Sequence, residues 1–382
     1  MKTGLYIHFP FCRAKCDYCG FHSFPIKDFE SDFSDFRDKY IFALMSEIQN
    51  QIQQYNIDCI DTIYLGGGTP TIFVGSKLKE LLKAIKTMTH VPNDAEISIE
   101  VVPNDVLGDT LDTLVQTGIN RMILGVQTLN NQLHETIGRS SIKCSEKCLD
   151  FFCSHEGFEH CVDIIYGIPG QTPKGFADEL NVILDYNPSH ISAYMLSVEA
   201  NTPLASRLPI TPSFYELQAE LFETAEDILT GNSYIHYEIS NYALIGKESR
   251  HNMKYWTFQP YLGVGPGAHS FLNNERFYNT TPVYEYAEKS NLLYEFDKRS
   301  ELSSYTEFFM TSLRLYKGFS DKTFKDTFGV MIPDMVLSAL KTQNNLGNVI
   351  IEKDGKGWRF FLSRKGFLIA DKVIFEVTES LL

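Results

Sequence analysis

The sequence predicts an α/β protein in which parallel strands alternate with helices, followed by a smaller α-rich module. Three observations carry this. Six short apolar runs recur through the first half of the chain with helical stretches between them: LYIHF (Leu5–Phe9), TIYL (Thr62–Leu65), EISIEV (Glu96–Val101), RMILGV (Arg121–Val126), CVDIIY (Cys161–Tyr166) and ISAYML (Ile191–Leu196). Near-continuous apolar strands separated by helices indicate βαβ units. Six of them predict a barrel or partial barrel, although a doubly wound open sheet fits the same periodicity. Finally, the pattern changes after the sixth run. The helical period of FYELQAELFETAEDIL gives way to a Gly- and aromatic-rich region, Tyr237–Ser270. The end, NVIIEKDGKGWRFFLSRKGFLIADKVI, reads as a β-hairpin and then a helix, as in a winged-helix wing. The expected organisation is a core over 1–235, a region packed on it over 236–290 and a C-terminal module over 291–382.

In either architecture, chemistry gathers at the carboxyl ends of the strands. The motifs follow that rule. Cys12, Cys16 and Cys19 follow the first strand, and GGGTPT (Gly66–Thr71) follows the second. Glu100 ends the third, Gln127 follows the fourth and Asp163 lies within the fifth, so all converge on one mouth.

Composition narrows the function. With 382 residues, 43% of them hydrophobic, the chain has ample material for a buried core. Aromatic residues reach 13%, which favours large apolar surfaces, in the core or around a flat ligand. A net charge of −14 without a Lys/Arg cluster argues against nucleic acid and against a polybasic membrane anchor. No apolar run approaches the ~18 residues of a membrane span. The N-terminus lacks the form of a signal peptide, because its short apolar run holds His8 and Pro10. Eight cysteines in such a chain read as thiols or metal ligands rather than disulfides, and the expected compartment is the cytoplasm.

The stretch FPFCRAKCDYCGF places Cys12, Cys16 and Cys19 on one loop. Four-iron clusters are normally held by four cysteines. Three thiolates leave one iron with an open position that a ligand can take. A zinc site completed by His8 or His22, or three unrelated core thiols, is the plainer reading. Phe9, Pro10, Phe11, Tyr18 and Phe21 are expected to wall the loop with apolar bulk and limit solvent access.

CxxxCxxC after a first strand, followed by GGGTPT, resembles the radical S-adenosylmethionine (SAM) superfamily. That resemblance implies a partial (β/α)6 barrel of parallel strands and a [4Fe–4S] cluster on Cys12, Cys16 and Cys19. In that superfamily SAM chelates the open iron and is cleaved reductively to a 5′-deoxyadenosyl radical. More closely, YIHFPFC, YLGGGTPT, GVQT, DIIYGIPGQT, HISAYML, EISNYA and GVGPGAHS are similar to the oxygen-independent coproporphyrinogen oxidase group. Carried over by position, the SAM contacts are Tyr6, Tyr18, Gly67, Gly68, Thr69, Glu100, Gln127, Arg139 and Asp163. Their chemistry suits the roles. Gly67 and Gly68 admit close backbone approach, Glu100 can accept from an ammonium, and Arg139 can pair a carboxylate. Gln127 and Asp163 can bind ribose hydroxyls. One departure stands out: the group's Glu-x-Asn-Pro reads Glu100-Val101-Val102-Pro103 here, with Asn104 displaced.

Two features select a branch. The decarboxylating oxidases resemble CxxxCxxCxC, whereas position 21 here is Phe. In addition, His251-Asn252-Met253-Lys254-Tyr255-Trp256 resembles the HNxxYW motif of the HemW branch, described as haem chaperones. That resemblance implies a haem site at His251, Asn252, Tyr255 and Trp256. Histidine is a common axial haem ligand, and Tyr and Trp offer flat apolar surface. The plainer reading has His251 and Asn252 capping a turn and Trp256 filling the core. His236 and His269 are weaker candidates for the second axial position. Cys144 and Cys148 share a helical face, and with Cys153, Cys161 and His155 they read better as core or surface thiols than as a second cluster.

The sequence thus points to a cytoplasmic haem chaperone that binds SAM at a [4Fe–4S] cluster and hands haem to an acceptor protein. A flavodoxin or ferredoxin is the expected electron donor, and a homodimer is compatible. The rival is an oxygen-independent coproporphyrinogen III dehydrogenase. A complete SAM site does not by itself establish an enzyme, and no catalytic residue is assigned.

Overall fold

The computed structural model describes residues 2–29, 33–208, 210–288, 291–355 and 357–381. The expected boundary at 290 lies outside the described residues. A twelve-stranded sheet organises the molecule. Its strands are β1 (Lys2–Phe9), β2 (Cys59–Gly67), β3 (Glu96–Val101), β4 (Arg121–Gln127), β5 (Glu159–Tyr166), β6 (His190–Met195), β7 (Ile235–Glu238), β8 (Asn241–Ala243), β9 (Tyr261–Val264), β10 (His269–Leu272), β11 (Glu275–Asn279) and β12 (Tyr294–Phe296). Their order is β12-β11-β10-β9-β1-β2-β3-β4-β5-β6-β8-β7.

The six runs read from the sequence are β1–β6, paired in parallel and in chain order. The helices between them bury regular apolar stripes. In Ser76–Met88 the buried residues are Leu78, Leu81, Leu82 and Ile85, the spacing of one helical face. Each such side chain contributes roughly 1.5–3 kcal/mol by leaving water. The strands alternate beneath their apolar appearance. Leu5, Ile7 and Phe9, then Ile63 and Leu65, then Ile97, Ile99 and Val101, face the helix layer and belong to the main core. Tyr6, Tyr64, Glu100 and Asp163 are only partly buried and lie on the opposite, inner face. The barrel interior is therefore aromatic and polar, and its outer face is aliphatic.

Residues 236–279 extend this sheet at both edges. β9 runs parallel to β1, with Gly4 opposite Tyr261 and Ile7 opposite Val264. β8 pairs antiparallel with β6 at the other edge. A buried carboxylate ties the first edge to the helix layer. Glu47, in helix Phe33–Tyr55, accepts hydrogen bonds from Gly265 N (2.8 Å), Asn279 Nδ2 (2.8 Å), Tyr294 (2.7 Å) and Tyr286.

The C-terminal module carries a three-stranded sheet, Phe319–Ser320, Gly357–Leu362 and Val349–Asp354 in spatial order, with the last two forming the expected hairpin. Helices Glu301–Ser312, Asp321–Phe328, Asp334–Asn345 and Ala370–Thr378 surround it. Phe308, Phe309, Phe319 and Phe324 interlock in its centre. The module meets the barrel where Tyr316 N donates to Tyr237 O (3.1 Å) and Arg364 pairs with Glu226 (3.1 Å) and Asp227 (2.8 Å). Among the described residues no helix is long and apolar enough to cross a membrane.

Candidate functional site

At the carboxyl ends of the strands a cavity of about 490 Å³ opens. Cys12, Cys16, Cys19 and Tyr18 line one side, and Gly67, Gly68 and Thr69 border it from the turn after β2. Glu100, Gln127, Arg139 and Asp163 complete the wall. Tyr6 sits off this lining, and its hydroxyl meets His8 Nδ1 at 2.9 Å.

The cysteine loop is anchored from below. Phe11 is fully buried, edge-on to Phe29, Phe33, Phe36 and Tyr40. Lys15 donates to the carbonyls of Phe21 (3.2 Å) and Ser23 (3.1 Å), and Asp17 N donates to Ile137 O (3.2 Å). Phe21 does not shield the site as the sequence suggests. It stands on the rim, 66% exposed, because the loop turns outward after Cys19.

The glycine turn is fitted to this loop. Gly68 N donates to Phe9 O and Thr69 N to Phe11 O, both at 2.7 Å. A Cβ on Gly68 would fall 2.5 Å from Phe11 O, so no other residue permits this seam. Gly67 adopts φ +109, and a Cβ there would strike the His8 ring at 2.4 Å. Gln127 adopts φ +65 where the β4–β5 register slips between Gly125 and Gln127. The bulge turns its side chain into the cavity, a known use of such irregularities.

The charged groups form one network. Arg139, buried, donates to Cys16 Sγ (3.5 Å) and to Gly125 O (2.8 Å). Burial raises the Cys16 thiol pKa, and the Arg139 charge counters that rise. Burial likewise raises Cys12, with hydrogen bonds from Thr69 and Ser23 opposing it. Glu100 accepts from Tyr64 (3.0 Å) and from Gly67 N (3.1 Å). Its pKa is pushed up to about 7 by burial and by the nearby Asp163, against those two hydrogen bonds. Asp163 is raised to about 6 by burial, and Ser192, Arg121 and Arg139 act the other way. Asp163 Oδ1 is buried without a hydrogen-bond partner.

Among the described residues no three His, Cys, Asp or Glu side chains converge on a point as a metal-ion site. The donor chemistry nevertheless fits an iron–sulfur cluster with a polar ligand beside it. Three thiols share one wall of one cavity, and an orphaned carboxylate oxygen, a buried guanidinium and a second carboxylate face it.

The HNxxYW segment lies at the opposite end of the barrel. It forms helix Arg250–Trp256 beneath the amino ends of the strands. Ser249 caps it, and Glu96, at the start of β3, accepts from the N–H groups of Arg250 and His251 (both 2.9 Å). A carboxylate at a helix N-terminus is favourable. Lys254 pairs with Asp61 at 2.8 Å. His251 is fully buried, with Nδ1 on Thr62 Oγ1 (2.9 Å) and Nε2 on the Tyr255 hydroxyl (2.8 Å). Both ring nitrogens are engaged, so axial ligation through His251 requires one of these two hydrogen bonds to break. Burial and Lys254 lower its pKa to about 3. Asn252, Tyr255 and Trp256 are partly buried, and the Trp256 indole N–H has no hydrogen-bond partner among the described residues. The cavity and the haem-motif residues are thus not brought together.

His236 is buried against Tyr242 (4.3 Å between rings), and His269 stacks on Tyr278 (4.6 Å). Cys144 Sγ donates to Ser145 O (3.6 Å) and Cys148 Sγ to Pro103 O (3.7 Å). Cys161 is buried in β5 and Cys153 partly buried. Sequence reasoning missed Tyr64, which bonds Glu100. The signal was present: Thr62, Tyr64 and Gly66 alternate with Ile63 and Leu65.

Comparison with known proteins bears on this arrangement. The chain matches the family model described as the radical SAM superfamily over residues 6–183. It is 32% identical to the heme chaperone HemW of Bacillus subtilis, over 98% of each chain. The chain belongs to the HemW family. Its similarity to the heme chaperone HemW of Haemophilus influenzae is also 32%, over 96% of this chain and 95% of that one. With the Escherichia coli heme chaperone HemW it is 33% over 70% and 69%. The fold of this HemW-family chain matches that of Escherichia coli coproporphyrinogen III oxidase, a radical SAM enzyme, with a TM-score of 0.82. That match covers 99% of this chain and 90% of that one at 21% identity.

Proposed function

We propose that this protein is a haem chaperone of the cytoplasm. It holds a [4Fe–4S] cluster on Cys12, Cys16 and Cys19, binds SAM beside it, and passes haem to an acceptor protein. The observation that carries the reading is similarity to heme chaperones along nearly the whole chain. The single mouth shared by the three thiols, Glu100, Arg139 and Asp163 supports the cluster and SAM assignments.

When bound, the cluster supplies an open iron position and one-electron redox chemistry. The chain's own residues do the rest. Arg139 stabilises thiolate at Cys16 and offers a guanidinium to a ligand carboxylate. Glu100 offers a carboxylate to an ammonium, and Asp163 Oδ1 an unused acceptor to ribose hydroxyls. Gly67 and Gly68 let the turn after β2 close against His8 and the cysteine loop. Haem is assigned to His251, Asn252, Tyr255 and Trp256, and His251 would ligate it once one of its two hydrogen bonds is broken.

The test is an anaerobic haem titration of the cluster-reconstituted protein, followed by Soret absorbance, with His251→Ala alongside. A saturable shift that His251→Ala weakens supports the reading. An unchanged titration in His251→Ala moves haem away from the floor helix. Absence of saturable binding in the wild type overturns the chaperone role. Replacing Cys12, Cys16 and Cys19 by Ala is expected to abolish the brown visible absorbance of the reconstituted cluster. The cluster-reconstituted wild-type protein, given SAM, reductant and coproporphyrinogen, is expected to form no protoporphyrinogen.

A further inference from the structure

Tyr64 is placed between the two ends of the barrel. Its hydroxyl donates to Glu100 Oε1 at 3.0 Å. Its ring stacks on His251 of the floor helix (5.3 Å, interplanar angle 28°) and on Tyr6 (6.1 Å, 29°). His251 is itself fixed through both nitrogens by Thr62 and Tyr255. The Tyr64 ring therefore has little freedom, and its hydroxyl meets Glu100 at a set position. A second donor, Gly67 N at 3.1 Å, holds the other carboxylate oxygen.

We propose that Tyr64 is a positioning residue for Glu100, held by the floor helix, that keeps the carboxylate aimed at a ligand ammonium in the cavity. The inference rests on the reading of that cavity as a SAM site.

Its physical basis is local charge. Asp163, from β5, faces Glu100 and disfavours its ionised form. The other titratable groups coupled to it are the tyrosines Tyr6, Tyr194 and Tyr255, which remain neutral, while Arg139 acts on Asp163. Among the described residues, Tyr64 and the Gly67 amide are the groups that hydrogen bond to Glu100 and oppose burial and Asp163. A hydroxyl donating to a carboxylate stabilises the charged form. Removing it leaves Glu100 protonated to higher pH, where it no longer accepts from an ammonium.

The test is calorimetric titration of cluster-reconstituted wild-type and Tyr64→Phe protein with SAM across a pH series. A second titration uses the SAM analogue in which hydrogen replaces the methionine α-amine. Tyr64→Phe keeps the stacked ring and removes only the hydroxyl. The expected result is about tenfold weaker SAM binding near neutral pH and a binding midpoint about one pH unit higher. The deaminated analogue is expected to bind both proteins alike. In a Glu100→Gln background, Tyr64→Phe is expected to cost nothing further, since its effect passes through the carboxylate. An unshifted midpoint overturns the inference, and so does equal weakening of SAM and the analogue, which a merely structural role would give. A wild-type protein that binds no SAM overturns the SAM reading and the inference with it, whereas wild-type binding with an indifferent Tyr64→Phe overturns the inference alone.

Discussion

Arg139 Nη1 donates to Cys16 Sγ at 3.5 Å, while its Nη2 is held by Gly125 O at 2.8 Å. One buried guanidinium thus joins the cysteine loop to β4. Arg139→Lys keeps the charge and loses the planar two-armed geometry. SAM affinity is expected to fall about tenfold or more, with reconstituted iron and sulfide near wild type. Arg139→Ala is expected to lower iron incorporation as well, because the Cys16 thiolate loses its counter-charge. Metal and sulfide analysis with SAM titration separates the two.

Glu47 receives four donors inside the protein, Gly265 N, Asn279, Tyr286 and Tyr294. Glu47→Ala leaves them buried and unpaired. The expected loss is about 3–5 kcal/mol in urea unfolding, by the cost of stranded buried donors. Glu47→Gln keeps the shape and part of the acceptance, and is expected to lose less.

Lys254 and Asp61 form an ion pair with both residues almost entirely buried. Breaking one side is expected to cost about 3–5 kcal/mol, since the remaining charge has no partner. The double replacement Asp61→Leu with Lys254→Met is expected to recover most of that loss. Thermal melts of the three variants check the prediction.

His251 is neutral and enclosed, with its pKa lowered from 6.5 to about 3. A depressed histidine pKa means the unfolded chain binds the proton that the folded chain refuses. Its contribution is full above the unfolded pKa and is lost as pH falls below it toward the folded value. His8 and His134, lowered to about 4, act in the same sense. Stability is expected to drop between about pH 6 and about pH 4. His251→Gln should unfold there with about one proton fewer taken up, measured from the slope of unfolding free energy against pH.

The six parallel strands were legible because each is a short apolar run bounded by helical periodicity, and β1–β6 overlap those runs. The mouth was legible for the same reason: strand ends fix where loops converge. What the sequence hid was non-local. Nothing in YLGV announces that Tyr261–Val264 lies beside β1. HNxxYW reads as chemistry because His, Tyr and Trp are versatile. Its position under the strands depends on Glu96 and Asp61, which lie more than a hundred residues earlier. Tyr64 was overlooked because a tyrosine inside an apolar strand looks like packing until the inward-facing set is seen together.

With helix Arg250–Trp256 set across the starting ends of the strands, the cavity opens at their carboxyl ends. A group seated deepest, beside Tyr64 and Glu100, has to arrive before anything lodged nearer the rim at Phe21 and Met195, and it leaves last.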